Sequence, residues 1–191
     1  MVRRNSWEPR AGNAKFNETK GTPLQTDPNQ WLPADTGAAT RALFARVNGN
    51  FTGTTDEIIQ WAAFKWGFDE DHVRAQAHLE SQWYQDALGD GGESIGMLQV
   101  RCMWGNIHQG ACPNSQRSTA FNLDYALGHM RAAYEGYFYY WPVNTKGNIE
   151  RVWALWYGGM NYLGPAATEY VQRVKLRIEQ RPWTTSAFAS G

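Results

Sequence analysis

The sequence predicts a mainly α-helical (α+β) domain with one long loop. Apolar residues recur at helical spacing in several segments between residues 54 and 178. Residues 85–118 lack this periodicity and form the predicted loop. Within it, a short β-ribbon is expected near residues 95–101. The chain has 191 residues, of which 42% are hydrophobic, so its size suits one domain with a real core.

Residues 1–49 are predicted to be an irregular extension of a domain that occupies residues 50–191. Residues 1–33 are rich in Asn, Thr, Pro and Gly and show no periodicity, which is typical of a segment that wraps a domain without regular structure. Residues 38–47 favour a short helix before the domain begins.

The first helix of the domain is predicted over residues 58–65. Thr54 and Glu57 offer a capping box before it, in which each side chain accepts a hydrogen bond from the other residue's backbone amide. Gly67 ends the helix, because glycine readily takes the left-handed conformation found there.

The next helix, predicted over residues 69–84 with Asp69 as its N-cap, carries a glutamate on its apolar face. The residues of this face recur at spacings i, i+4, i+7 and i+11: Val73, Ala77, Glu80 and Tyr84. A carboxyl group on an apolar face has a raised pKa, because burial disfavours its ionised form. A glutamate that keeps its proton can protonate a glycosidic oxygen, so Glu80 is a candidate general acid. The alternative is a solvated glutamate at a fraying helix end.

Three later segments predict further helices. The first has an apolar stripe formed by Leu123, Leu127, Met130 and Tyr134. The second begins at Asn148, ends at Gly158-Gly159 and has a stripe formed by Ile149, Val152, Trp153 and Trp156. The third begins at Pro165, ends before Pro182 and buries Ala167, Val171, Val174 and Ile178.

Four short motifs, taken in order, resemble one enzyme family. They are E-S at residues 80–81, G-D-G-G-E-S-I-G-M-L-Q-V at 89–100, A-L-W-Y-G-G at 154–159 and Y-V-Q-R-V at 170–174. Over residues 54–178 their order and spacing resemble glycoside hydrolase family 23, the goose-type lysozymes and soluble lytic transglycosylases. The resemblance implies a lysozyme-like catalytic domain in which Glu80 is the catalytic acid.

The resemblance leaves the second carboxylate open. Goose-type enzymes have an aspartate where Asp90 stands, and often another where this chain has Arg101. We expect Asp90 to serve if a second carboxylate is needed, with Asp86 and Glu93 as reserves; the alternative for Asp90 is a simple turn residue. In hydrolysis that carboxylate activates water. In lytic transglycosylation, as the resemblance implies, the 6-hydroxyl of muramic acid attacks, and Glu80 acts alone. Only one of the two aspartate positions is filled, which slightly favours transglycosylation.

Four further residues are candidates for binding the glycan: Ser81, Met97, Gln99 and Tyr157. Gln99 and the backbone around Met97 are expected to line the groove and to bond an acetamido group. Tyr157 is expected to bond Glu80 or the sugar. The alternatives are a loop-tying role for Gln99 and a core ring with a surface hydroxyl for Tyr157. At the neighbouring position Gly158 departs from the family pattern, which has asparagine there.

Two cysteines, Cys102 and Cys112, lie ten positions apart in the polar loop. A disulfide between them stabilises such a loop by roughly 2–3 kcal/mol, and two free thiols are the alternative. His108 supplies only a third ligand, so a zinc site is not expected.

No apolar segment follows the N-terminal arginines, so this end does not resemble a signal peptide. The disulfide nevertheless predicts a secreted protein, whose signal peptide is not in this sequence.

The composition limits the classes of partner. Lys+Arg and Asp+Glu number 18 each, and no apolar run approaches the roughly 20 residues that span a bilayer, so neither nucleic acid nor membrane is expected. Ten tryptophans suit a sugar groove, although most belong to the core. No metal or other cofactor is expected.

We predict a monomeric enzyme that cuts the β-1,4 MurNAc–GlcNAc bond of peptidoglycan, with chitin as a second substrate. The alternatives are a phage-type endolysin and a non-catalytic glycan-binding module.

Overall fold

The computed structural model describes residues 1–19, 32, 36–102, 111–138 and 140–189. It is mainly helical with a small antiparallel sheet, which confirms the predicted fold class. The elements follow in this order: α1 (Ala14–Asn17), α2 (Ala38–Phe44), α3 (Thr55–Trp66), α4 (Glu70–Ser81), β1 (Leu88–Gly89), β2 (Ser94–Ile95), β3 (Val100–Arg101), α5 (Cys112–Arg117), α6 (Thr119–Glu135), α7 (Ile149–Gly158), α8 (Pro165–Gln180) and α9 (Ser186–Ala189).

Helix α6 lies at the centre of the domain. Helices α2, α3, α5 and α7 pack against it, so nearly all of its residues are buried. Three members of its predicted apolar stripe, Leu123, Leu127 and Met130, belong to the core. Helix α8 packs on both α4 and α7 and so covers the other side of the domain. Within the described ranges, no helix is long and apolar enough to cross a bilayer.

The predicted starts of the helices are confirmed where a side chain caps them. The hydroxyl of Thr54 accepts a hydrogen bond from the amide of Glu57, whose carboxylate accepts one from the amide of Thr54. The carboxylate of Asp69 caps α4, and the side chain of Asn148 caps α7. Each cap satisfies backbone amides that have no partner within the first helical turn.

Helix α4 ends earlier than predicted. It stops at Ser81, because Gln82 and Trp83 take left-handed backbone conformations with φ of 52° and 68°. This turn brings the ring of Trp83 back beneath the helix, where it is fully buried and its Nε1 donates to the carbonyl of Arg74. The prediction that the helix reaches Tyr84 is therefore wrong, because burial of a large ring outweighs continuation of the helix.

The long loop contains more structure than predicted. The expected β-ribbon is confirmed as a three-stranded antiparallel sheet in the order β1-β2-β3, with Ile95 paired to both Leu88 and Val100. Residues 112–117 form α5, so the prediction of loop throughout 85–118 is wrong there. The predicted Cys102–Cys112 disulfide is confirmed, with a Cα–Cα distance of 5.6 Å, and joins the end of β3 to α5. His108 lies outside the described residues.

The described part of the N-terminal extension packs tightly against the domain. Asn13 is fully buried, and its side chain donates to the hydroxyl of Thr55 and to the carbonyl of Trp83. Its Oδ1 accepts a hydrogen bond from the amide of Gln85 at 2.9 Å. Arg10 donates to the carbonyl of Gln82. The extension therefore holds the turn that follows the helix of Glu80.

Candidate active site

Glu80 lies in the last turn of α4 and faces α8. The hydroxyl of Tyr170, a buried residue of α8, donates a hydrogen bond of 2.6 Å to Glu80 Oε1. Because α8 turns its Ala167, Tyr170 and Val174 side inward, the Tyr170 hydroxyl is directed at the end of α4. One carboxylate oxygen of Glu80 is thus held by a buried donor.

Burial, with a smaller contribution from the negative charge of Asp90, raises the pKa of Glu80 to about 7. Two groups act in the opposite direction: the hydrogen bond from Tyr170 and the positive charge of Arg173. Since desolvation outweighs both, the protonated and ionised forms coexist near neutral pH. Glu80 can therefore give up a proton and take it back, as a general acid must.

Tyr170 remains a donor at every relevant pH. Burial raises the pKa of its hydroxyl well above 10, and the charge of Glu80 adds to this effect. Its ring stacks on that of Tyr157, with centroids 4.6 Å apart and planes 12° from parallel. Tyr157 itself is 50% exposed. The hydroxyl that bonds Glu80 thus belongs to Tyr170 and not to Tyr157, and a bond from Tyr157 to the sugar stays a prediction.

The floor segment, residues 96–100, is held from below by two buried amide side chains. The side chain of Asn122 accepts from the amide of Leu98 at 2.9 Å and donates to the carbonyl of Ile95. Gln85 accepts from the amide of Met97 at 3.2 Å. A Cβ on Gly96, whose φ is +77°, would lie 2.4 Å from the Asn122 amide nitrogen, so this close approach requires glycine.

Three residues that were candidates for binding the glycan, Ser81, Met97 and Gln99, contact the loop itself or are buried in it. The buried hydroxyl of Ser81 lies 2.9 Å from the carbonyl of Met97 and 3.1 Å from that of Ala77, and so ties α4 to the floor segment. The Met97 side chain is fully buried. The Gln99 side chain donates to the carbonyl of Gly96 at 2.8 Å, which is the loop-tying alternative. A direct role for these residues in binding sugar stays a prediction.

Asp90 is exposed in the glycine-rich loop and lies near enough for its charge to act on Glu80. Its φ is 50°, and its Oδ2 accepts a hydrogen bond of 2.6 Å from the hydroxyl of Ser94. The reserve Asp86 is exposed as well, and Glu93 pairs with Arg101 at 3.3 Å. Of these three carboxylates, Asp90 is therefore the one whose charge acts on the pKa of Glu80.

An aromatic cavity of about 450 Å³ continues from Tyr157 along α7. Glu80 is not among its described lining residues, but Tyr157 lines the cavity and stacks on Tyr170, whose hydroxyl bonds Glu80. Its described lining is mainly aromatic and apolar, and Arg101, His129 and Asn161 are its polar members. Its larger aromatic and apolar side chains include Phe138, Trp141, Trp156, Tyr157 and Met160. We call it the aromatic cavity.

Sequence reasoning missed Tyr170, Gln85 and Asn122 as members of the site. The Y-V-Q-R-V motif placed Tyr170 on an inward helix face, but periodicity does not say which buried ring meets Glu80. For the two buried amides the sequence carried no signal.

No family model matches the chain, and no curated protein matches it. The resemblance to glycoside hydrolase family 23 thus stays a prediction that depends on the four motifs. Among the described residues, no group of three or more His, Cys, Asp or Glu side chains could hold a metal ion.

Proposed function

We propose that this protein is a glycosidase that cleaves the β-1,4 MurNAc–GlcNAc bond of peptidoglycan, with Glu80 as the general acid. The observation that carries the proposal is the position of the Glu80 carboxyl group, which the buried Tyr170 hydroxyl holds at 2.6 Å beside the glycine-rich loop and whose pKa burial raises to about 7. Protonation of the glycosidic oxygen requires a carboxylic acid that is still protonated near neutral pH. The fixed hydrogen bond from Tyr170 leaves the other oxygen of Glu80 to carry that proton.

The aromatic cavity supports a glycan as the substrate. Flat rings such as those of Trp141, Trp156 and Tyr157 can stack on sugar faces, and the cavity volume falls within the range of ligand sites. Chitin shares the N-acetylated β-1,4 backbone and is the second substrate class. The disulfide supports action outside the cell, since such bonds persist in oxidising compartments.

The step after protonation has two forms. In transglycosylation the 6-hydroxyl of the same muramic acid attacks C1, the glycosidic oxygen leaves with the proton of Glu80, and Glu80 accepts the proton of that hydroxyl. The product is a 1,6-anhydro end. In hydrolysis Asp90 would orient a water, which leaves a reducing end. We favour transglycosylation, because Asp90 is exposed and already accepts a bond from Ser94.

The decisive experiment compares the wild type with Glu80→Gln on purified cell walls. Gln keeps the shape and the bond from Tyr170 but has no transferable proton, so turnover should fall at least about 10²-fold while glycan binding survives. Mass spectrometry of the released fragments distinguishes the two routes, since anhydro and reducing ends differ by one water.

Wild-type lysis by Glu80→Gln would overturn the assignment of the acid. Binding of glycan without cleavage by the wild type would instead identify a non-catalytic glycan-binding module.

A further inference from the structure

The aromatic cavity contains one side chain that a neutral glycan does not need. Arg101, at the end of β3, is among the lining residues and its side chain is half exposed. The remaining described lining residues include no aspartate or glutamate. A cation at the edge of an apolar surface attracts anionic groups, since the low-dielectric wall strengthens its field.

The present partner of Arg101 is held weakly. Glu93 contacts Arg101 at 3.3 Å, and both side chains are about half exposed, at 43% and 50% respectively. Exposed pairs of this kind contribute little free energy, because water and salt screen them. Arg101 can therefore exchange Glu93 for a ligand carboxylate without a large loss.

The position of the cavity relates it to the proposed acid. Tyr157 lines the cavity and stacks on Tyr170, whose hydroxyl bonds Glu80. A glycan whose scissile bond lies at Glu80 would therefore extend its neighbouring sugar towards Trp156 and Arg101.

We propose that Arg101 binds a carboxylate carried by the glycan and so selects muramic acid-containing strands over chitin. This inference rests on the proposed function, because it assigns the substrate preference of the same site. Two sources supply the carboxylate: the lactyl group of a muramic acid without peptide, or the peptide stem attached to that group. Chitin has neither.

The test measures binding to three glycans in the Glu80→Gln background, where cleavage does not interfere. The glycans are peptidoglycan fragments with peptide stems, the same fragments freed of peptide by an amidase, and chito-oligosaccharides of equal length. A second substitution, Arg101→Gln, should weaken binding of one or both carboxylate glycans by about 5- to 20-fold and that of chito-oligosaccharides by less than about 2-fold. Whichever carboxylate glycan loses more affinity identifies the source.

Arg46→Gln is the matched control, since Arg46 is exposed and is not among the residues that line the cavity. It should leave all three dissociation constants unchanged. Arg101→Lys keeps the charge and should retain most of the affinity. Added salt should weaken carboxylate binding only where residue 101 is cationic.

Equal losses for all three glycans in Arg101→Gln, or no loss at all, would overturn this inference and leave the proposed function standing. Failure of the protein to bind any glycan would instead count against the proposed function, and with it this inference.

Discussion

The hydroxyl of Tyr170 donates a hydrogen bond of 2.6 Å to Glu80 Oε1, although the two residues lie 90 positions apart in the chain. The bond crosses the contact between α4 and α8 and fixes the carboxyl group of Glu80 beside the glycine-rich loop. The site can thus hold a protonated carboxyl group in one orientation, and four predictions follow from its surroundings and from the loop.

The first prediction concerns stability. Burial raises the pKa of Glu80 to about 7 in the folded protein, whereas an unfolded glutamate has a pKa of about 4.3. The native state binds this proton more tightly, so its contribution is present below pH 4.3 and is lost as the pH rises towards 7. Glu80→Gln should therefore exceed the wild type in free energy of unfolding by about 1–3 kcal/mol at pH 8 and match it at pH 4.

Urea denaturation at the two pH values measures this difference. Glu179→Gln, an exposed substitution on α8, is the control and should show the same stability difference at both. Equal stability of wild type and Glu80→Gln at pH 8 would mean that burial does not disfavour the ionised carboxyl group.

The second prediction concerns Tyr170, which the proposed function makes a positioning residue for Glu80. Its hydrogen bond lowers the pKa of Glu80 and partly opposes desolvation. Tyr170→Phe removes the bond, so the pKa of Glu80 should rise, and the alkaline limb of the kcat/KM profile should move to higher pH. Tyr157→Phe is the control, since the Glu80 bond belongs to the other tyrosine. A limb that stays in place in Tyr170→Phe would mean that the bond does not tune the acid.

The third prediction separates the two routes through Asp90. Its negative charge raises the pKa of Glu80. Asp90→Asn should therefore move the alkaline limb of the kcat/KM profile to lower pH, whether the reaction is transglycosylation or hydrolysis. For transglycosylation the loss of turnover at acidic pH should be mild, because the attacking hydroxyl belongs to the substrate. For hydrolysis it should reach about 10²–10⁴-fold, the usual contribution of a general base.

Asp86→Asn, exposed in the same loop, is the matched control for Asp90→Asn. We expect a mild loss and 1,6-anhydro products, read by NMR of fresh digests. A severe defect with only reducing ends would establish hydrolysis and leave Glu80 as the acid.

The fourth prediction concerns the disulfide between Cys102 and Cys112. Alkylation without reductant should leave the intact mass unchanged. Replacement of both cysteines by serine should lower the free energy of unfolding by roughly 2–3 kcal/mol, since a closed loop of this size restricts the unfolded chain. Reductant should destabilise the wild type by a similar amount and leave the double variant unaffected. Two alkylated thiols in the untreated protein would contradict the bond.

Features that depend on neighbouring residues could be read from the sequence. The caps at Thr54, Asp69 and Asn148 act within one helical turn, and the apolar stripe of α6 repeats with the helical period. The placement of Glu80 on the apolar side of α4 follows from the same period. The end of α4 could not be predicted from that period, because the burial of Trp83 depends on residues that contact it from other segments.

The partners of Glu80 were decided only by the tertiary structure. Tyr170 approaches from α8, Asp90 from the loop, and the floor segment depends on Asn122 of α6. Periodicity determines which face of a helix is buried, but not which residue of a distant helix it meets. The sequence by itself therefore determined the longer helices α3, α6, α7 and α8, the start of α4, the disulfide pair and the candidate acid. Packing between distant segments decided how that acid is held, because its hydrogen bonds and its desolvation exist only once those segments are in contact.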